Sequence, residues 1–136
     1  MKWVSYPGLE SSPWHALALE YLPRGAASVF SFDVHATGDG DADFARVEEL
    51  IARLQVIRLV ANIGDARSLI AHPASMTHSH LTPDQLAEAG ITPTTIRLSI
   101  GLEDPTDLVA DLERALAPLV ASTTDADQSL SSAAWP

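Results

Sequence analysis

The segment Thr95-Ile96-Arg97-Leu98-Ser99-Ile100-Gly101 alternates polar and apolar residues without a break. Alternation of this kind is the pattern of a strand with one buried face, so Ile96, Leu98 and Ile100 meet a core while Thr95, Arg97 and Ser99 share the other side. A chain holding such a strand needs further strands to pair with it and apolar elements to cover one side of the sheet. The arginine adds a chemical constraint: a guanidinium on a rigid strand keeps its charge and presents a planar fork of donors, which grips a carboxylate in two parallel hydrogen bonds. The pattern points to a site for a small acid. The plainer alternative is a surface arginine paired with Glu103 or Asp104.

The remaining elements follow from periodicity and punctuation. Ser12-Pro13 ahead of Trp14, Leu17, Ala18, Tyr21 and Leu22 reads as a capped amphipathic helix that Pro23-Arg24-Gly25 ends. A β-rich strand is expected over Ala27 to Val34, and helical spacing of Val47, Leu50, Ile51 and Leu54 follows the loop Thr37-Gly38-Asp39-Gly40-Asp41. Val56 to Asn62 reads as an apolar strand and Ser68 to Ala71 as a short one. Thr82-Pro83-Asp84-Gln85 is a threonine/glutamine capping box for a helix that Gly90 closes. Asp104-Pro105 caps a last helix with Leu108, Leu112, Ala115, Leu116 and Leu119 in one stripe. The expected fold class is α/β (α+β): a small mixed, mostly antiparallel sheet with helices on one face, in a single domain over residues 1–121. Ser122 to Pro136, rich in Ser, Thr, Asp and Ala without periodicity, is expected to be a disordered tail.

Charge and composition narrow the function classes. With 18 acidic residues against 8 basic ones, the net charge of -10 repels phosphate backbones and anionic membrane surfaces, which argues against nucleic-acid and membrane partners. The absence of cysteine excludes disulfides, thiolate catalysis and thiolate metal sites, and agrees with an expected cytoplasmic location. His72, His78 and His80 invite a metal reading, but no carboxylate lies among them and loop hydrogen bonding is the better expectation. Asp39-Gly40-Asp41-Ala42-Asp43 departs from a calcium loop at Phe44 and Leu50, so these acids are read as a solvated loop favouring the next helix N-terminus. No Gly-x-Ser-x-Gly turn or complete glycine-rich phosphate cradle is present.

Two long blocks carry a family resemblance: Asn62-Ile63-Gly64-Asp65-Ala66-Arg67-Ser68-Leu69-Ile70-Ala71-His72-Pro73-Ala74-Ser75-Met76-Thr77-His78-Ser79 and Arg97-Leu98-Ser99-Ile100-Gly101-Leu102-Glu103-Asp104. Trp3-Val4-Ser5-Tyr6-Pro7-Gly8-Leu9-Glu10 and Tyr21-Leu22-Pro23-Arg24-Gly25-Ala26 extend it. From about Trp3 to Leu119 the chain resembles the C-terminal domain of the cysteine/methionine-metabolism family of pyridoxal-phosphate enzymes. Asn62 makes it look most like the O-acetylhomoserine sulfhydrylases, which exchange an acetoxy group for sulfide to make homocysteine.

The resemblance implies roles residue by residue. Arg97 matches the arginine that binds the substrate α-carboxylate, Asn62 a neighbour that helps hold it, and Thr77 a residue lining the substrate pocket. It also implies pyridoxal phosphate as cofactor, an amino-acid substrate, and homotetramers built from dimers. The family's Schiff-base lysine, cofactor aspartate and ring-stacking tyrosine belong to a preceding domain, and none of those motifs is found here. Lys2, the only lysine, precedes the matched region. Asp33-Val34-His35-Ala36-Thr37-Gly38 also departs from the glycine and lysine usual after its strand. The resulting expectation is a substrate-side domain with no catalytic, cofactor-binding or metal-binding residue of its own, inactive alone. Cystathionine γ-synthase or methionine γ-lyase-type activity is the alternative within the enzyme class. A non-catalytic carboxylate-binding or partner-binding module is the alternative outside it.

Overall fold

A computed structural model describes residues 1–121; the tail expected over Ser122 to Pro136 lies outside them. Five strands form one sheet: β1 (Trp3–Ser5), β2 (Val29–Asp33), β3 (Arg58–Leu59), β4 (Leu69–Ala71) and β5 (Thr95–Ser99), in the order β1-β2-β5-β4-β3. All neighbours are antiparallel except β3 and β4, which run parallel. The described residues also form four helices: α1 (His15–Tyr21), α2 (Gly40–Arg53), α3 (Pro83–Glu88) and α4 (Pro105–Ala121). The expected mixed, mostly antiparallel sheet is thus present, with β5 at its centre.

The alternation in β5 divides the sheet as expected. Cross-strand pairing sets Phe32 against Ile96, and Phe30 and Ile70 on either side of Leu98. These side chains share one face, and Val47 and Leu50 of α2 with Leu108 and Ala115 of α4 close the core over it. The N-terminal ends of α2, α3 and α4 are made by short polar side chains, whereas α1 starts behind Trp14 with no side-chain cap, so the cap expected at Ser12-Pro13 is not formed. Asp39 Oδ1 accepts the N–H groups of Asp41 and Ala42, Asp104 Oδ1 accepts that of Thr106, and the Thr82/Gln85 capping box forms in full. Gly90, at φ +69°, takes the left-handed conformation that ends α3 at little steric cost.

Several expectations are corrected, and one strand was not foreseen. The apolar stripe of the first helix is not buried: α1 contributes no buried residue, and Trp14, Leu17, Leu19, Tyr21 and Leu22 are exposed. The strand expected over Val56 to Asn62 shrinks to Arg58–Leu59, because it pairs only with β4 and its chain bends where Asn62 N–H donates to the Val60 carbonyl. The N-terminal strand β1, not foreseen, borders β2 through the pairs Trp3–Asp33, Val4–Phe32 and Ser5–Ser31. Asp43 is not solvated: it is buried in the first turn of α2 and accepts both the backbone N–H and the hydroxyl of Thr37.

Two buried polar groups fasten connections. Asp111 of α4 is 1 % exposed and receives the N–H groups of Gln55, Val56 and Ile57 at 2.8, 2.9 and 2.9 Å, with Arg114 beside it. Burial raises its carboxyl pKa, but the three backbone donors and the Arg114 charge outweigh it and hold the group below its ordinary value. His72, 2 % exposed, uses both ring nitrogens: Nε2–H donates to the Pro93 carbonyl at 2.9 Å, and Nδ1 accepts from Ser75 Oγ at 2.8 Å. Phe44 meets the His72 ring edge-on. Burial lowers the His72 pKa, against smaller opposing effects of the Pro93 carbonyl and Glu48.

Asp111→Ala strips acceptors from three backbone donors, and the stability loss should be about 3 kcal/mol, read as a lower urea midpoint at unchanged m-value. For His72 the neutral form is favoured on folding, so its contribution is complete above the unfolded pKa of about 6.5 and is lost as pH falls toward the lower folded value. The urea midpoint should therefore drop between pH 7 and pH 5, and His72→Asn should flatten that slope. An unchanged slope in the variant would contradict the assignment.

Candidate functional site

Arg97 occupies the middle of the central strand on the face opposite the core, with Ser31 across β2 and Ala71 across β4 as its register partners. Its guanidinium donates from Nη2 to the backbone carbonyl of Asn62 at 3.2 Å. Arg97 is partly exposed, and among the described residues it enters no ion pair.

The Arg97 face is roofed at both ends and open between. At one end Asp33 and Thr95, paired across β2 and β5, are buried beneath the turn 92–94; the Thr92 hydroxyl bonds both Asp33 oxygens at 3.1 Å, and the Thr94 hydroxyl also donates to Asp33. At the other end the loop between β3 and β4 returns over Ser99, whose Oγ accepts the Gly64 N–H at 3.1 Å. Leu102 N–H donates to the Ala66 carbonyl at 2.8 Å, which fixes the loop to the exit of β5. Arg97 stands between these two roofs.

The nearby acids are committed elsewhere. Glu103 receives the backbone N–H and the hydroxyl of Ser68, both at 2.7 Å, and these bonds lower its pKa. Asp104 caps α4. Asp65 accepts the Arg67 N–H at 2.9 Å and Nε–H at 3.4 Å, which lowers its pKa in the same way. The surface pairing of Arg97 with Glu103 or Asp104 is therefore not what the structure holds.

The three residues expected at the site are placed unequally. Arg97 and Asn62 come together through the Asn62 carbonyl, while the Asn62 side chain accepts its neighbour's N–H, that of Ile63, at 2.9 Å. Thr77 is exposed on the segment after β4, and its hydroxyl bonds His78 Nδ1 at 2.8 Å rather than Arg97 or Asn62. Lys2 stands before β1 with Nζ 4.0 Å from Asp33 Oδ2. Sequence reading placed Ser99 on the Arg97 face without its anchoring contact to Gly64, and missed Ser68 and Gly101, which also fasten the loop after Asn62. Among the described residues no group of three or more His, Cys, Asp or Glu side chains could hold a metal ion, and no helix is long and apolar enough to cross a membrane.

Residues 1–117 match the family described as Cys/Met metabolism PLP-dependent enzyme. The chain is 42% identical over 115 residues to O-acetyl-L-homoserine sulfhydrylase 1 of Thermus thermophilus, covering 85% of this chain and 26% of that protein. It is 40% identical over 116 residues to homocysteine synthase of Schizosaccharomyces pombe, again over 85% of this chain and 26% of the relative. A crystal structure of cystathionine gamma synthase from Xanthomonas oryzae superposes with a TM-score of 0.75 at 38% identity, over 88% of this chain and 29% of that one. The chain spans about a quarter of the length of the curated relatives it matches. With its mixed sheet and helices it has the fold seen in fold-type I pyridoxal-phosphate enzymes, and it belongs to the Cys/Met-metabolism family of PLP-dependent enzymes.

Proposed function

We propose that these residues form the substrate-side domain of an O-acetylhomoserine sulfhydrylase-like enzyme, which converts O-acetyl-L-homoserine and sulfide to L-homocysteine and acetate. The observation that carries this reading is the Arg97 guanidinium, held on the central strand by a carbonyl and not by a carboxylate. Arg97 binds the amino-acid α-carboxylate, Asn62 orients that arginine, and Thr77 borders the pocket when the rest of the enzyme is in place. The sulfhydrylase relatives at about 40% identity support this choice of reaction, and the match to cystathionine gamma synthase supports the second reading, with a thiol amino acid in place of sulfide.

Pyridoxal phosphate, when bound, supplies the electron sink for elimination and replacement at the substrate side chain. The described residues fit a substrate carboxylate and not that cofactor. The one lysine lies beside the buried Asp33 carboxylate, and Arg58, the other cation in register on the Arg97 face, stands out on the edge strand β3. No chemical step is assigned to this chain's side chains; its task is to bind and orient. The exposed apolar residues Trp14, Leu17, Leu19 and Leu22 support a chain that works with further protein packed upon it, including the lysine-bearing domain and the subunits of a homotetramer.

Two measurements test this reading. A purified chain mixed with pyridoxal phosphate and desalted should retain no imine absorption band; a stable band lost in Lys2→Ala would overturn the division of labour. O-Acetyl-L-homoserine should shift the Arg97 side-chain NMR signals, and since a charge-assisted bond is worth roughly 1.5–3 kcal/mol, Arg97→Ala should weaken binding by about one to two orders of magnitude. Equal affinity in the variant would remove Arg97 from the site.

A further inference from the structure

The loop that brings the Asn62 carbonyl to Arg97 is fastened by groups that do not touch the guanidinium. Both oxygens of Glu103 are spent on one residue: Oε1 accepts the Ser68 N–H and Oε2 the Ser68 hydroxyl, each at 2.7 Å. A carboxylate held at both oxygens has a fixed orientation as well as a fixed distance. Ser68 is fully buried, and its Oγ accepts the Gly101 N–H at 2.9 Å. Serine, glutamate and the exit of β5 therefore form one closed unit. Gly101 permits the contact, because a Cβ there would collide with the Ala66 carbonyl and the Ser68 nitrogen. The loop backbone rests directly on the strand that carries Arg97.

We propose that Glu103 is a positioning residue for the carboxylate site: by clamping Ser68 to the end of β5 it fixes the 62–67 loop, and with it the Asn62 carbonyl that aims the Arg97 guanidinium. Ser99, through Gly64, is the second anchor of the same loop. The inference rests on the carboxylate site proposed above. It assigns Glu103 no contact with ligand, so the residue acts through orientation. Binding groups must be held to about 0.5 Å for a directed contact to keep its value.

The test uses isotope-labelled full-length chain and two NMR readouts: the Arg97 Nη signals without ligand, and the dissociation constant for O-acetyl-L-homoserine. In the unaltered chain the Arg97 guanidinium should rotate slowly and give resolved Nη signals. Glu103→Ala should collapse them and raise the dissociation constant by about 5- to 10-fold, while the methyl signals of Ile96 and Leu98 stay in place. Glu103→Gln keeps an acceptor for the Ser68 N–H and can donate to Ser68 Oγ, so it should restore both readouts to within about twofold. An Ala variant with an intact core, unchanged Arg97 signals and unchanged affinity would overturn the proposal. Should Glu103→Ala unfold, Ser99→Ala releases only the Gly64 anchor and should raise the dissociation constant by about 2- to 3-fold; no change in either readout would likewise overturn it. If the unaltered chain shows no ligand shift, the carboxylate reading falls. The Nη signals of the variants still decide whether the clamp orients Arg97.

Discussion

The placement of every functional group depends on the register of β5. This strand is hydrogen-bonded on both sides, to β2 and to β4, and its apolar residues are fully buried beneath α2 and α4. A slip of one residue would exchange the two faces, putting Arg97 into the core and Ile96 and Leu98 over the polar side. The cost of burying an unpaired guanidinium forbids that arrangement. The same alternation that closes the core therefore fixes where the charge stands. Arg97 is at the centre of the sheet and not at an edge, so the strands on both sides limit its movement.

The polar face is built differently from the core face. Packing holds one side of the sheet; hydrogen bonds made by polar side chains hold the other. Thr92 and Thr94 close over Asp33 at one end, and the 62–67 loop closes over Ser99 at the other. Each roof satisfies buried polar atoms that would otherwise cost free energy, and among the described residues no buried side-chain nitrogen or oxygen lacks a partner. Between the roofs lies the row of Ser31, Arg97 and Ala71, in which Ser31 and Arg97 are partly exposed and Ala71 is buried. A hydrogen-bonded roof defines an opening more sharply than a packed one because its donors and acceptors have directions.

What could be read in the sequence follows the range of the interaction concerned. The alternation of β5, the Thr82/Gln85 capping box and the Asp104 cap are local, within seven residues or fewer, and were legible with their roles. The face on which the arginine stands was legible from that alternation, and its role as a carboxylate binder is a proposal built on that placement. The Ser68–Glu103 clamp spans 35 residues and leaves no periodic mark in either segment. The shortening of β3 was hidden for a related reason: an apolar run specifies extended chain, whereas pairing depends on a neighbour, and β3 has one neighbour only. Asn62 meets Arg97 through its carbonyl, which any residue could supply, so its side chain carried no signal for this contact. The apolar stripe of α1 read correctly as amphipathic but said nothing about what covers it.

The anion site proposed at Arg97 lies in a chain of net charge -10, and the local structure bears on that electrostatic problem. At physiological ionic strength distant charges are screened beyond a Debye length of about 8 Å, so the acids that matter are those folded against Arg97's own elements. Glu103 has both oxygens bonded to Ser68, Asp65 is bonded to Arg67, and Asp104 is turned into the start of α4. None of the three forms an ion pair with Arg97. The hydrogen bonds that hold Glu103 and Asp65 ionised also keep them from swinging onto the guanidinium, because leaving would strand the backbone N–H groups of Ser68 and Arg67. The acids near the site thus brace the loop instead of neutralising the cation. The guanidinium is left without an ion-pair partner among the described residues although the chain as a whole is strongly acidic.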